Sequence, residues 1–300
     1  MIALLVRLYH FWLFLILDII DTLLESQSLN EVYEYCCWFN SCIMNTWLFK
    51  CALLRSFWLG IARPFTWALV WLTKRLAKPG LNIGLVLDGN RRFARFNNLP
   101  SATGHYLGSQ QVYPVVQHLQ ELKCSSVALY VWSKKNFNRT PAEVTAVMDI
   151  CHAMFQKLTA KQNDPLESLA PHLQIVGDPR PLRTDIKDIV QKINQPSAQP
   201  KFLFFLFSYS ALEEYVNTKS DGVPRSIDII IRTSGERRLS DFLLCSAAST
   251  ATICFVATKW PVFSKVHLLL ILLKHRLEAH LQTSSQAHPT YPLTVSVRNK

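Results

Sequence analysis

Leu85-Val86-Leu87-Asp88-Gly89-Asn90-Arg91-Arg92-Phe93-Ala94 is the stretch on which the reading of this chain turns. The apolar run 83–87 predicts a buried strand, and it stops at a carboxylate, a glycine, an amide and two guanidiniums. In open α/β sheets, ligands collect at the carboxyl ends of the strands. Gly89 lets backbone N–H groups approach a ligand, and amides at a loop or helix start bind anionic oxygens. Arg91 and Arg92 suit a diphosphate, because a planar guanidinium holds two oxygens at once. Asp88 among these donors would repel a phosphate unless a cation lay between them. One carboxylate plus phosphate oxygens is a normal Mg²⁺ environment, which makes Asp88 the candidate metal ligand.

Outward from this stretch the same pattern repeats. Apolar runs at 83–87, 127–132, 173–176, 202–207, 229–231 and 253–256 alternate with segments long enough for crossover helices. Near-continuous apolar strands alternating with helices predict an α/β fold with a central, mainly parallel sheet of about six strands flanked by helices. Gly104-His105-Tyr106 is read as the opening of the first helix. Thr140-Pro141-Ala142-Glu143 reads as a second helix start, with Thr140 as N-cap, Pro141 at the first position and Glu143 closing a capping box. Val144, Val147, Met148, Cys151, Phe155 and Leu158 follow at helical spacing as a packing face. Gly177-Asp178-Pro179 reads as a turn, and Thr184 as the cap of the next helix. The four phenylalanines of 202–207 either pack the core or line an apolar pocket. Finally, in 228–244 a strand ends at Arg232, Gly235 turns the chain, and Ser240 is expected to cap a new helix. Arg232, Arg238 and the Ser240 hydroxyl are then expected to converge on one anion.

The chain has 300 residues, a formal charge of +11 and 49% hydrophobic residues, unevenly placed. The charge fits anionic substrates, a lipid surface or nucleic acid. Nucleic acid is disfavoured, because the arginines sit at strand ends and no nucleic-acid motif is present. Eight cysteines form no C-x-x-C pair, so reduced thiols are expected rather than a zinc site. Residues 1–80 are a different kind of sequence. Asp18 and Asp21, Lys50, and Arg63-Pro64 interrupt apolar zones before any reaches the ~20 residues of a bilayer span. Trp38, Trp47, Trp58, Trp67 and Trp71, followed by Lys74, Arg75 and Lys78, have the composition of a membrane interface. One or more interfacial or signal-anchor helices are expected there, with residues 81–285 as a cytosolic catalytic domain and 286–300 as a tail. The five acidic residues between 18 and 34 disfavour a transit peptide.

Asp88-Gly89-Asn90-Arg91-Arg92-Phe93-Ala94 with Gly104-His105 resembles the first signature of the cis-prenyltransferases, the undecaprenyl and dehydrodolichyl diphosphate synthases. Ser133, Asn136 and Arg139 match the family's Ser-x-x-Asn-x-x-Arg element. The stretch from Asp228 to Leu244 resembles the signature of the eukaryotic members, and Trp260-Pro261 matches a late landmark. The resemblance covers roughly 81–280, about two thirds of the chain. It implies an allylic diphosphate, farnesyl diphosphate, over Gly89, Asn90, Arg91, Arg92 and Arg139, with isopentenyl diphosphate at Arg232, Arg238 and Ser240. It also implies Mg²⁺ at Asp88, and Ser133 and Asn136 near the condensing carbons. His105 is read as a diphosphate contact or a proton shuttle. The product implied is a long Z-polyprenyl diphosphate for dolichol synthesis and protein glycosylation, made at the endoplasmic reticulum membrane. The rival within the family is a non-catalytic or weakly active subunit.

Departures from the pattern are specific. Ser101 stands where many bacterial relatives carry an arginine, Lys135 where an acid is usual, and Cys245-Ser246 where Trp-Gln is usual. Ala251 falls at the position of a bacterial metal-binding glutamate. The span from Tyr209 to Asp228 is short, which points to a lost helix near the hydrocarbon tunnel. Residues 296–300 lack the Arg-x-Gly tail, which in two-component eukaryotic enzymes comes from a partner resembling the Nogo-B receptor. The resemblance therefore implies a dimer, with such a subunit supplying the tail.

Overall fold

The computed structural model describes residues 20, 21, 25, 71, 79–159, 165–210, 224, 226–247 and 251–287. The reading of residues 1–80 as membrane-associating helices lies almost wholly outside these, as do the shortened segment after Tyr209 and most of the tail. No helix among the described residues is long and apolar enough to cross a membrane.

Chain order is β1 (Asn82–Val86), α1 (Asn90–Phe96), α2 (Ser101–Gln110), α3 (Val112–Glu121), β2 (Ser126–Ser133), α4 (Pro141–Thr159), β3 (Leu173–Val176) and α5 (Thr184–Ile193). Then follow β4 (Leu203–Tyr209), β5 (Ile229–Arg232), α6 (Leu244–Ala247), β6 (Thr252–Phe255) and α7 (Lys265–Ala287). The six strands form one sheet in the order β3-β4-β2-β1-β5-β6. Every pairing is parallel. The expected α/β architecture is the one observed.

Alternation along the strands divides the core in two. Ile83, Leu85, Val127, Leu129, Ile229 and Ile231 face one layer with the apolar stripes of α3, α4, α5 and α7. Val86, Ala128, Phe204, Leu206 and Ile230 face the other, against Phe242 and Leu243. Phe242 packs so closely that a Cβ on Gly84 would lie 2.9 Å from its ring. On α4, Val147, Met148, Cys151, Met154, Phe155 and Leu158 are buried at helical spacing. A side chain such as Phe155 contributes about 1.5–3 kcal/mol by leaving water. Phe155 packs on Phe205 and Phe207, so those two belong to the core, and Phe207 also borders a cavity with Ile175, Gly177 and Val190. The outermost strand β3 carries a side-chain rung. Ile175 N–H donates to Asn194 Oδ1 at 2.8 Å, and Asn194 Nδ2 donates to the Ile175 carbonyl at 2.7 Å.

Three helix starts differ from expectation. His105 lies inside α2, one helix later than predicted, because α1 begins directly at Asn90. Thr184 is the first residue of α5; Arg183 precedes it and no side chain caps the turn. Ser240 adopts positive φ (52°) in a turn four residues before α6, so it caps nothing. Its hydroxyl is engaged by Arg232 instead.

Part of the N-terminal extension touches the sheet domain. Ile20 is buried, Asp21 pairs with Lys274 on α7, and Glu25 pairs with Arg237 at 2.8 Å. Nearby, His267 is buried and neutral: its Nδ1 accepts from the Ser264 N–H at 3.2 Å and its Nε2 lies 2.9 Å from Thr258 Oγ1. Burial pushes its pKa down from 6.5 to about 4. The unfolded chain therefore takes up a proton in that interval, and stability falls as pH drops from 6.5 toward 4. The urea midpoint is expected to decline more steeply over this range in the wild type than in His267→Gln; parallel declines would refute the assignment.

Candidate active site

The site is built by register. Val86 at the end of β1 pairs with Tyr130 of β2 on one side and with Arg232 of β5 on the other. The loops after these three strands therefore open side by side on the carboxyl edge. From β1 the chain builds toward β2, β4 and β3, and from β5 it builds the other way to β6. The β1/β5 boundary is thus a topological switch point, where open α/β sheets place ligands.

The backbone there is tied from several directions. The Asp88 N–H donates to Thr233 Oγ1 at 2.9 Å, and the Thr233 hydroxyl donates to the Asp88 carbonyl at 2.7 Å. The Trp260 N–H donates to the same carbonyl at 3.0 Å. Gly89 turns with φ 112°, and a Cβ on it would meet Lys259 Cβ at 2.9 Å and Ser234 Cβ at 3.0 Å. Only glycine satisfies both the dihedral and the space. Its carbonyl accepts from the Phe93 N–H at 2.8 Å, which starts α1 immediately.

Asp88 stands between two arginines. Arg232 Nη2 donates to its Oδ2 at 2.8 Å, and Arg92 Nη2 is 3.3 Å from its Oδ1. Burial would raise this carboxyl's pKa, but the Arg232 hydrogen bond and the charges of Arg92 and Arg232 outweigh it and hold it below the ordinary 3.8. Asp88 is ionised at neutral pH. Arg232, with a side chain only 5% exposed, also donates through Nη1 to Ser240 Oγ at 2.9 Å and to the Arg238 carbonyl at 2.6 Å. The Arg238 side chain does not join them. It turns outward to pair with Glu236, two residues back, and it is that residue's carbonyl which meets Arg232. Glu236 also takes Arg92 Nη1 at 2.8 Å. Guanidiniums and carboxylates therefore alternate from Arg238 through Glu236, Arg92 and Asp88 to Arg232.

A second cluster lies on the β2 side. Arg139 donates to Glu143 Oε1 at 2.8 Å and to Asn136 Oδ1 at 3.3 Å, and its guanidinium lies 5.0 Å over the Trp132 ring. His105 Nε2 is 3.3 Å and Arg91 Nε 3.5 Å from the same Glu143 oxygen. Burial, with the charges of Arg139 and Arg91, keeps His105 below its usual pKa despite Glu143. Ser133 is buried at the end of β2, and Lys135, in place of the usual acid, pairs with Asp241 at 2.6 Å on the rim. Arg91 and Arg92 are consecutive on α1, so one helix start serves both clusters.

Asn90 ties these parts together. Its Nδ2 donates to the Leu87 carbonyl at 3.3 Å, while its Oδ1 is buried and has no partner among the described residues. The α2 helix presses on it: a Cβ at Gly104 would fall 2.2 Å from the Asn90 carbonyl, and one at Gly108 2.2 Å from Oδ1. As for a metal, the described residues contain no group of three His, Cys, Asp or Glu side chains suited to hold one. Asp88 fits as the single protein carboxylate of a cation whose other ligands are phosphate oxygens and water.

Four functional residues escaped the sequence reading. Thr233 locks the Asp88 loop, and Tyr130 donates to the Ser240 carbonyl at 2.8 Å. Glu236 and Glu143 pair the arginines. Tyr130 carried a signal, being the one phenol in strand β2; the others are visible only once the loops are brought together.

The prenyltransferase family model of undecaprenyl diphosphate synthases matches residues 86–224 and 210–280. The chain belongs to this family, and it is an enzyme that transfers prenyl groups, a cis-prenyltransferase. It resembles the eukaryotic dehydrodolichyl diphosphate synthases in particular. Dehydrodolichyl diphosphate synthase complex subunit SRT1 of Saccharomyces cerevisiae is 28% identical over 252 residues, 72% of this chain and 73% of the yeast protein. Dehydrodolichyl diphosphate synthase of Encephalitozoon cuniculi is 29% identical over 201 residues, 66% of this chain and 71% of the other. The fold matches lavandulyl diphosphate synthase from Lavandula x intermedia, solved with dimethylallyl diphosphate, at TM-score 0.54 and 20% identity over 65% of this chain and 94% of that one.

Gly104→Ala forces its methyl group against the Asn90 carbonyl. Overpacking of this kind costs about 1–3 kcal/mol. Urea unfolding is expected to show that loss, together with reduced prenyl transfer because Asn90 is displaced; unchanged values for both would show that the contact is soft.

Proposed function

We propose that the enzyme condenses isopentenyl diphosphate onto farnesyl diphosphate and repeats the step, making a long Z-polyprenyl diphosphate for dolichol synthesis and protein glycosylation. The observation that carries this reading is the adjacency of β2, β1 and β5, which sets the Arg139, Asp88 and Arg232 loops on one edge of the sheet. Two cationic cradles sharing one carboxylate suit two diphosphate substrates whose far ends must react.

The allylic diphosphate lies over Gly89, Asn90, Arg91, Arg92 and Arg139. Bidentate guanidiniums hold its oxygens and stabilise the charge that grows on the leaving group. Isopentenyl diphosphate lies at Arg232, Ser240 and Arg238, and Arg238 exchanges Glu236 for substrate. Asp88 would hold Mg²⁺, which would supply Lewis-acid neutralisation of the diphosphate charge. Ser133 and Asn136 border the condensing carbons. Neither an alcohol nor an amide is a strong base at neutral pH, so Asn136 positions a group while the departing diphosphate or Asp88 takes the proton. His105, neutral and turned to Glu143, supports the allylic diphosphate rather than shuttling that proton.

The first eighty residues tether the enzyme to the endoplasmic reticulum membrane, where an apolar product finds an apolar sink; their tryptophan-rich, basic composition supports this. A partner subunit resembling the Nogo-B receptor supplies the Arg-x-Gly tail, and the naming of the yeast relative as a complex subunit supports a partner. Incorporation of labelled isopentenyl diphosphate into butanol-soluble product tests the reading, on the chain alone and with such a subunit. Asp88→Asn, which keeps an acceptor for Arg232, is expected to lower incorporation by about 10²–10³-fold, the range for a lost electrostatic contact in a transition state. Undiminished incorporation by that variant would overturn the role of Asp88.

A further inference from the structure

We propose that Glu143 is the positioning residue that assembles the allylic diphosphate cradle in advance of substrate, an assignment that rests on the functional reading above. Its side chain is 13% exposed, at the start of α4. A single oxygen, Oε1, serves three basic groups from three elements. They are Arg139 Nη1 at 2.8 Å from the loop after β2, His105 Nε2 at 3.3 Å from α2, and Arg91 Nε at 3.5 Å from α1.

These groups oppose one another. Burial first, and then the Arg91 charge, disfavour the charged form of Arg139. The charges of Arg139 and Arg91 likewise add to burial in disfavouring a charged His105. Without an anion in their midst, two long guanidinium side chains would relax toward solvent, where each holds rotamer freedom of about 2 kcal/mol. Arg91, half exposed, has the most to regain. A substrate diphosphate could gather them, but its own binding would then carry the ordering cost. Glu143 removes that cost beforehand, and one carboxylate among these groups still leaves the cradle cationic.

The helix does not need this carboxylate for itself. In a capping box the glutamate side chain reaches back to the N-cap backbone N–H. Here only half the box forms: the Glu143 N–H lies 3.4 Å from Thr140 Oγ1, while the carboxylate turns away to the arginines and the histidine. The expected capping role is thus corrected, and the side chain is free for the site. On the β5 side, the isopentenyl groups Arg232 and Ser240 make no contact with it, so its influence is confined to one substrate.

The test uses the full chain, with its partner subunit if activity requires one. Glu143→Gln keeps shape and an acceptor but loses the charge. It is expected to raise the KM for farnesyl diphosphate about tenfold, equal to about 1.4 kcal/mol, with the KM for isopentenyl diphosphate within about twofold. Glu143→Asp is expected to recover part of the loss, and the thermal midpoint of both variants to stay near that of the wild type. Calorimetric titration with farnesyl diphosphate should show the same tenfold weakening without turnover. An unchanged or lower farnesyl KM, equal rises in both KM values, or a collapse of the thermal midpoint in both variants would overturn the assignment. Absence of farnesyl diphosphate binding by the wild type would instead sink the functional reading beneath it.

Discussion

The contact between Arg232 and Asp88 is the constraint from which the rest of the site follows. Arg232 ends β5 and Asp88 lies two residues past the end of the neighbouring parallel strand β1, and their 2.8 Å hydrogen bond joins positions 144 apart in sequence. Arg232 is buried, and an unpaired charge at that depth would be strongly destabilising, by about 3–5 kcal/mol. Its Nη1 donates to the Ser240 hydroxyl and the Arg238 carbonyl, so the pair also fixes the path of the loop beyond β5, while its buried Nε–H has no partner among the described residues. Asp88 in return is kept ionised. Under the proposed function, the carboxylate offered to a metal ion and the guanidinium offered to a diphosphate sit in direct contact.

Around this pair the chain uses neutral fastenings for backbone and charged ones for side chains. Thr233 and Trp260 pin the Asp88 backbone, and Gly89 makes the turn that sends α1 away at once. Glycines of α2 let that helix lie directly on Asn90. The arginines are each matched to a carboxylate, Arg92 to Asp88 and Glu236, Arg139 and Arg91 to Glu143. Preformed electrostatics of this type need little reorganisation when charge develops on a leaving group.

Much of the architecture was legible in the sequence. Buried parallel strands leave continuous apolar runs, and each predicted run falls within a residue or two of an observed strand, as with 229–231 against Ile229–Arg232. The motifs were legible because Asp88, Ser133 and Arg232 follow directly on such runs, with Asn136 and Arg139 in the loop after Ser133. Helix starts were less legible: Thr184 and Ser240 are good caps by residue type, yet the first lies inside α5 and the second is taken by a guanidinium. Local preference lost there to a tertiary hydrogen bond. The partners of the arginines could not be read at all, since Glu143 and Glu236 look like ordinary helix and loop acids until three elements converge. Arg238 illustrates a different limit: the sequence places it in the anion cradle, and its pairing with Glu236 two positions away is visible only in the structure.

The amide of Asn194 against strand β3 has a consequence for the enzyme's life in the cell. A bare sheet margin is a template onto which another polypeptide can hydrogen-bond, and such margins seed fibrils. By occupying both the donor and the acceptor of Ile175, the carboxamide counterfeits a seventh strand one residue long. The chain is thereby spared one route to self-association, two strands away from the β2, β1 and β5 loops that form the candidate site.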